Sequence, residues 1–336
     1  EIDPKQIDTI FETENTLRTT MATQPQRHNP LYSFKRIRGE IDPKQIDTIF
    51  ETENTLRIAV NARERDSGLV NQFQIAMCEE VATMRIVVLE VIHNGSIIHD
   101  EGIKDRLGVF PIVADAVDFE KVSSLDDMNE RNTLKFELKL DCPAGSPTSL
   151  PVLSSDVKWI PLGDQEFRFA KNPPRLLYDD VKLFTLTPGQ RVDIAMYCAR
   201  GTGRIHAGWR PVSVVGFKKE PRLEIREPIS GDSAEKLVKL CPKNVFDIED
   251  GFAVVRDKLE CTMCRECLRE YPDQIVLGYN QKRTILTIES LGVIPPREIM
   301  GRALRFINAK PEPKQPLAED VAGSLAEVKI EPEESE

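Results

Sequence analysis

Three of the chain's seven cysteines, Cys261, Cys264 and Cys267, fall within seven positions of the stretch ECTMCRECLREYPDQ. This C-x-x-C-x-x-C spacing constrains the fold more than any other feature. It places three thiols on one loop, and a cluster or metal held there needs a fourth ligand from elsewhere. Seven is an odd number, and tight grouping suits metal ligation in a reducing compartment better than a disulfide framework.

A bacterial ferredoxin run would place its fourth cysteine four residues after the third, followed by proline. Pro272 is present, but Tyr271 precedes it. Upstream, Cys241 is followed by Pro242 and lies twenty positions before Cys261. In a two-cluster ferredoxin the last cysteine of each run ligates the cluster of the other run. Counting back four, seven and ten positions from Cys241 gives Leu237, Ala234 and Gly231, and none of these can ligate. The losses are complementary. One cluster loses Gly231, Ala234, Leu237 and Tyr271; the other keeps Cys241, Cys261, Cys264 and Cys267. The expectation is one 4Fe-4S cluster on those four cysteines, stapling a small insert. A 3Fe-4S cluster or zinc stays open, although zinc sites usually show two C-x-x-C-type pairs and the second is missing. Cys78, Cys142 and Cys198 read as ordinary cysteines outside any site.

Composition sets the frame. Hydrophobic residues at 40% and charged residues at 30% are ordinary for a soluble globular chain. No stretch approaches the ~18 apolar residues of a membrane span, and no signal segment is evident. The net charge of −10 sits mainly at the ends: residues 309–336 carry eight acidic and three basic side chains, residues 1–18 five and two. The near-neutral body does not read as an autonomous nucleic-acid binder.

Residues 1–18, EIDPKQIDTIFETENTLR, recur unchanged at 40–57. An old structural repeat would have diverged, so 1–20 reads as a duplicated or added segment, with Met21 as the natural start. Residues 21–44 are expected to be flexible. Leu69, Phe73, Ala76, Met77 and Val81 lie at helical spacing, which predicts a helix over 69–84. RIVVLEVIHNGS reads as strand and turn. TLKFELKL alternates as a strand, VKWIP and RVDIAMYCA follow, and 108–226 is β-rich. RTILTIE reads as a strand. Pro295-Pro296 opens a helix with Met300, Ala303, Leu304 and Ile307 on one stripe. The acidic tail 309–336 is expected to be disordered. Its Val328-Lys329-Ile330-Glu331 fits a ψ-K-x-E modification pattern at Lys329.

No G-x-G-x-x-G occurs; GTGRIHAG at 201–208 lacks the third glycine. The four histidines are scattered, so no catalytic constellation can be assembled.

VNQFQIAMCEEVATMRI, then NGS, then DEGIKDRLGVFPI, resembles the alpha-type subunits of cellular RNA polymerases. That family carries N-A-L-R-R-x-x-x-x-E-V-P-T-M, then N-x-S, then D-E-x-x-x-H-R-L-G-x-x-P. Asn71, Glu80, Val81, Thr83 and Met84 match, as do Asn94, Ser96, Asp100, Glu101, Arg106, Leu107, Gly108 and Pro111. Downstream, GRIHAGWRPVSVV matches at Gly203, His206, Ala207, Trp209 and Pro211, and ESLGVIPPREIMGRAL is similar to the family's closing helix. The family's Arg pair is Gln74-Ile75 here, and its His is Asp105. VKWIPLGDQ looks most like the larger alpha-like subunit shared by polymerases I and III. The absence of cysteine over 113–135 speaks against the polymerase II paralogue, and the archaeal alpha-like paralogue is the other near relative.

The resemblance implies an α+β fold. A dimerisation domain (45–88, 212–227 and 274–308) is interrupted by a β-rich insert (89–211) and a ferredoxin-like iron–sulfur insert (228–273). It implies an assembly subunit without chemistry of its own, in the nucleus (nucleolus and nucleoplasm) after assembly in the cytoplasm. A small alpha-like subunit is the expected dimer partner, and the second-largest and largest subunits then dock. Nucleic acid is met only through the complex, and no membrane is involved. Phe73, Met77, Val81, Met300, Leu304 and Ile307 are the expected dimer face. The alternative is an iron–sulfur electron-transfer subunit of an oxidoreductase.

Overall fold

A computed structural model describes residues 17–20, 40–61, 67–122 and 127–309. The fold is α+β, as expected. In chain order the strands are β1 (Leu17–Thr20), β2 (Ile46–Glu51), β3 (Thr55–Asn61), β4 (Ala82–Asn94), β5 (Ile112–Val113), β6 (Thr133–Asp141), β7 (Leu150–Leu153), β8 (Lys158–Ile160), β9 (Arg175–Leu176), β10 (Lys182–Leu186), β11 (Arg191–Thr202), β12 (Val212–Ile225), β13 (Phe246–Glu249), β14 (Phe252–Val255) and β15 (Ile275–Ser290). The helices are α1 (Ser67–Glu79), α2 (Asp100–Gly108), α3 (Gln165–Arg168), α4 (Asp232–Leu240), α5 (Glu266–Glu270) and α6 (Pro296–Asn308). Among the described residues no helix is long and apolar enough to cross a membrane.

The chain divides into two compact units. One comprises 1–36, 75–213 and 290–336; the other comprises 37–74 and 214–289. Thus α6, expected with the dimerisation domain, falls in the β-rich unit, while the cysteine insert shares a unit with β2 and β3.

In the first unit an antiparallel sheet runs β1-β4-β11-β6-β8. Its central strands β4 and β11 are buried along most of their length, and β11 carries bulges at Asp193/Ile194 and Tyr197/Cys198. The alternation of TLKFELKL is realised in β6. Leu134, Phe136 and Leu138 enter the core, while Glu137 bridges Lys135 at 2.7 Å and Lys139 at 3.2 Å on the other face. Cys142 and Cys198 are core residues, and burial pushes the Cys198 thiol well up. The four residues of β1 pair with Val88–Val91 at the edge of β4. The rest of 1–20, together with 21–39 and the tail from 310 with Lys329, lies outside the described residues.

The alpha-type motifs act here as structural locks. Asn94 donates to Ile98 O at 2.8 Å and to Asp100 Oδ1 at 2.7 Å, and accepts from the Ser96 hydroxyl at 2.7 Å. That network ties the end of β4 to the start of α2. Trp209 donates to Ala199 O at 3.1 Å, and its own carbonyl accepts from Thr83 at 2.8 Å. Arg85 lies over its ring at 5.2 Å and donates to Gly108 O at 2.7 Å. His206 accepts from Gly208 N through Nδ1 at 2.9 Å. Burial, then the charge of Arg85, lowers the His206 pKa and favours the neutral ring. A Cβ on Gly201 would lie 2.4 Å from the Trp209 ring, so this close approach requires glycine. GTGRIHAG is therefore the end of β11 and a tight turn, as the missing third glycine suggested.

The second unit is built on the antiparallel sheet β12-β15-β3-β2. Leu56, Ile58, Ala59 and Val60 of β3 are all buried. Asp47 on β2 takes Asn61 at 3.0 Å and Arg283 at 3.3 Å, reinforcing the register from β2 to β15. RTILTIE lies within β15, as its alternation predicts.

Two expectations need correction. The helix predicted over 69–84 ends at Glu79, and Ala82 already pairs with Thr202 in β4. Val81 is therefore in the turn between them. The apolar periodicity runs on into a strand because β4 is buried on both faces, and a short apolar run does not distinguish helix from strand. The expected dimer face is also largely internal. Phe73 and Met77 are 0% exposed and Val81 2%. Leu304 and Ile307 are buried, and only Met300 is half-buried. A stripe at helical spacing marks a face that is covered, whether by the same chain or by a partner. Here the chain covers it.

Candidate functional site

The cysteine insert hangs from β12 and β15, and Arg226 N donates to Gln274 O at 2.8 Å to close its stem. It opens with α4, an amphipathic helix whose buried residues are Ala234 and Leu237. Cys241 caps the C-terminus of that helix. Asp250 and Gly251, both at positive φ, form the two-residue turn of the hairpin β13–β14. Asp257 then caps a short turn, Lys258–Glu260, by accepting from Leu259 N at 2.8 Å. The cysteine loop follows directly.

Cys261, Cys264 and Cys267 are separated by Met263 at φ 61° and Arg265 at φ 65°. Two left-handed non-glycine residues in three positions are costly and persist only where the surroundings hold them. They coil the loop so that all three cysteines line one cavity with Cys241. Leu223, Pro242, Val245, Phe246 and Leu277 form the apolar part of its wall, with Lys243, Thr262, Arg265 and Glu266 beside them. Met263 N donates to Cys261 Sγ at 3.4 Å. Cys261 and Cys267 are buried, Cys241 is half-buried and Cys264 is exposed. Burial, then the charges of Cys261 and Cys264, pushes the Cys267 thiol up to about 11. The four cysteines singled out in the sequence are thus brought together, although Cys241 lies twenty positions before the nearest of the others.

Among the described residues no three His, Cys, Asp or Glu side chains close on a point that could hold one metal ion. Zinc would need its sulfurs about 2.3 Å from a single centre. A polynuclear cluster makes a different demand, because each thiolate binds a different iron. Four thiols around one cavity fit that donor set in kind.

Three of the four positions without a ligand are also brought together, while Gly231 is exposed. Ala234 and Leu237 are 0% exposed and Tyr271 8%, in one core with Ile229, Val245, Phe246, Ala253 and Ile275. The Tyr271 hydroxyl donates to Ser233 O at 2.9 Å. The vacated half is therefore filled by side chains. Sequence reasoning registered Tyr271 only as a lost cysteine and missed its anchoring role.

A second feature gave no sequence signal. The turn Lys258–Glu260 is held by the sheet beneath it. Glu220 meets Lys258 at 3.2 Å, Lys218 donates to Leu259 O, and Arg57 donates to Glu260 at 2.9 Å. Arg57 and Glu260 are 203 positions apart.

No protein-family model matches the chain. Curated relatives do. The chain is 36% identical over 254 residues to DNA-directed RNA polymerases I and III subunit rpac1 of Dictyostelium discoideum, covering 73% of this chain and 74% of that protein. It is 32% identical to subunit RPAC1 of Saccharomyces cerevisiae, over 74% of this chain and 80% of the other. The Homo sapiens RPAC1 is 31% identical over 73% and 76%. The chain belongs to the RPAC1 family of DNA-directed RNA polymerase subunits. The resemblance drawn from the ordered motifs is thereby established, and the oxidoreductase alternative finds no support among these relatives. As a polymerase subunit, the chain carries its family motifs in β4, α2 and the turn after β11, where they secure the fold.

Proposed function

We propose that this chain is a non-catalytic assembly subunit of RNA polymerases I and III. It pairs with a small alpha-like subunit, and the pair forms the platform on which the second-largest and largest subunits dock. It works in the nucleus, nucleolus and nucleoplasm alike, after assembly in the cytoplasm, and meets nucleic acid only through the complex. The observation that carries this reading is the extent of the match to RPAC1 relatives, which covers nearly three quarters of the chain. A structural role for the motif residues agrees with it. Asn94, Thr83, His206 and Trp209 are all engaged in internal hydrogen bonds. The partner surface is assigned to the residues of the same two helices that the chain leaves uncovered in part: Ile75 on α1, half-buried, and Phe306 on α6, 43% exposed.

Cys241, Cys261, Cys264 and Cys267 would hold one 4Fe-4S cluster. When bound, such a group supplies coordination energy that becomes folding energy for the insert. The chain's part is to gather four thiols around one cavity, with Cys261 and Cys267 buried, Cys241 half-buried and Cys264 exposed.

Co-expression with the small alpha-like subunit tests the assembly reading. Ile75→Asp and Phe306→Asp are expected to abolish co-purification while leaving the chain folded. Normal pairing by both variants would overturn the assigned surface. Anaerobic purification should yield about four irons per chain. One tightly bound zinc without iron would replace the cluster reading.

A further inference from the structure

We propose that Arg57, Lys218 and Glu220 are positioning residues for the cysteine loop. By this account β3 and β12 grip the turn Lys258–Glu260 and set where Cys261, Cys264 and Cys267 stand relative to Cys241. The inference rests on reading the four cysteines as a ligand set.

Three consecutive residues, the last three before Cys261, are each held by a different side chain from the sheet. Lys218 and Glu220 are two apart on β12 and so share a face of the strand. Glu220 is 7% exposed. Its carboxylate accepts from Asn280 at 2.9 Å and lies 3.9 Å from Arg283, besides meeting Lys258. A buried carboxylate with partners on several sides is costly to displace. Arg57 reaches Glu260 from β3 with its side chain 31% exposed. The turn is stiff enough to transmit the grip. Asp257 caps it, and Cys261 N donates to Lys258 O at 3.2 Å.

The asymmetry of the insert gives the grip its purpose. Cys241 is fixed by α4, which packs through Ala234 and Leu237 into the insert's own core. The loop Cys261–Cys267 enters that core only through Cys261 and Cys267, with Met263 partly buried against it, and contains both left-handed residues of the site. Without an external hold it would relax out of them. The sheet supplies that hold immediately upstream of the first ligand.

The test compares the full chain with Arg57→Ala, Glu220→Gln and the charge exchange Arg57→Glu with Glu260→Arg. Amide hydrogen exchange is read over 261–267 in the metal-free chain. Iron loss to a ferrous chelator is read after anaerobic reconstitution with ferrous iron and sulfide. Each single variant should speed exchange over 261–267 and iron loss by about fivefold, as loss of one partly buried ion pair implies. Amides of α4 should be unaffected, and the charge exchange should restore the loop. Unchanged loop exchange in folded Arg57→Ala and Glu220→Gln, or no rescue by the exchange, overturns the proposal. Should Glu220→Gln fail to fold, Arg57→Ala and its rescue decide alone. If the native chain takes up no iron but its loop responds as described, positioning stands and the cluster reading falls. If iron binds and neither exchange nor iron loss responds, positioning falls instead.

Discussion

On one side of the insert, Cys241, Cys261, Cys264 and Cys267 line a cavity. On the other, Ala234, Leu237 and Tyr271 occupy the positions that a second cluster would have used, and they are packed into a continuous core. The two sides correspond to equivalent positions in the ferredoxin pattern and are held by opposite means. One gathers sulfur around space that side chains leave open. The other closes that space with apolar surface and a single hydroxyl bond, Tyr271 to Ser233 O. Where the ferredoxin pattern lacks its ligands, side chains close the space instead. A tyrosine at the fourth-ligand position is large enough to reach α4, where its hydroxyl bonds Ser233 O. Apolar packing needs no cofactor, so the filled side should be stable by itself and should support the thiol side.

Breaking the filled side should have the largest effect. Tyr271→Ala removes a buried ring and should cost roughly 3 kcal/mol, as large-to-small core changes do. Urea denaturation should show it. Cys261 and Cys267 share that core, so iron content should fall as well. Retained iron with unchanged stability would mean that the two sides are independent. Cys241→Ser should come next. It should lower iron per chain and the stability of iron-loaded protein, yet change the metal-free chain little, because Cys241 is half-buried. Metal analysis and paired melting curves with and without iron read both outcomes. Tyr271→Phe keeps the packing and loses one hydrogen bond, with an expected cost of about 1 kcal/mol. The smallest effect is expected from Tyr271→Cys on stoichiometry. It restores one ligand where Gly231, Ala234 and Leu237 supply none, so iron should stay at about four per chain or below. A rise toward eight would show that the filled side can still open around a second cluster.

Much of this is legible in the sequence alone. The split of the cysteines could be read by counting positions, and the structure brings the four together around one cavity. The alternation of TLKFELKL, the Pro295-Pro296 helix start and the ordered alpha-type motifs also translated directly into β6, α6 and the locks around Asn94 and Trp209. Each depends on neighbours within a few positions. The interface residues did not translate. Phe73 and Met77 were read as a surface for a partner, and they are interior. The helix over 69–84 was read too long because the buried strand β4 continues its apolar run.

The sequence by itself determined which residues could ligate, the strands of TLKFELKL and RTILTIE and the helix after Pro295, and the family to which the chain belongs. Those depend on residue type and local spacing, and both are written along the chain. Only the tertiary structure decided that the apolar stripe of α1 is buried within the chain, that Tyr271 packs into the insert core, and that Arg57, Lys218 and Glu220 hold the turn before Cys261. Periodicity reports that a face is covered but not by what. A contact such as Arg57 to Glu260, 203 positions apart, exists only once the strands have paired.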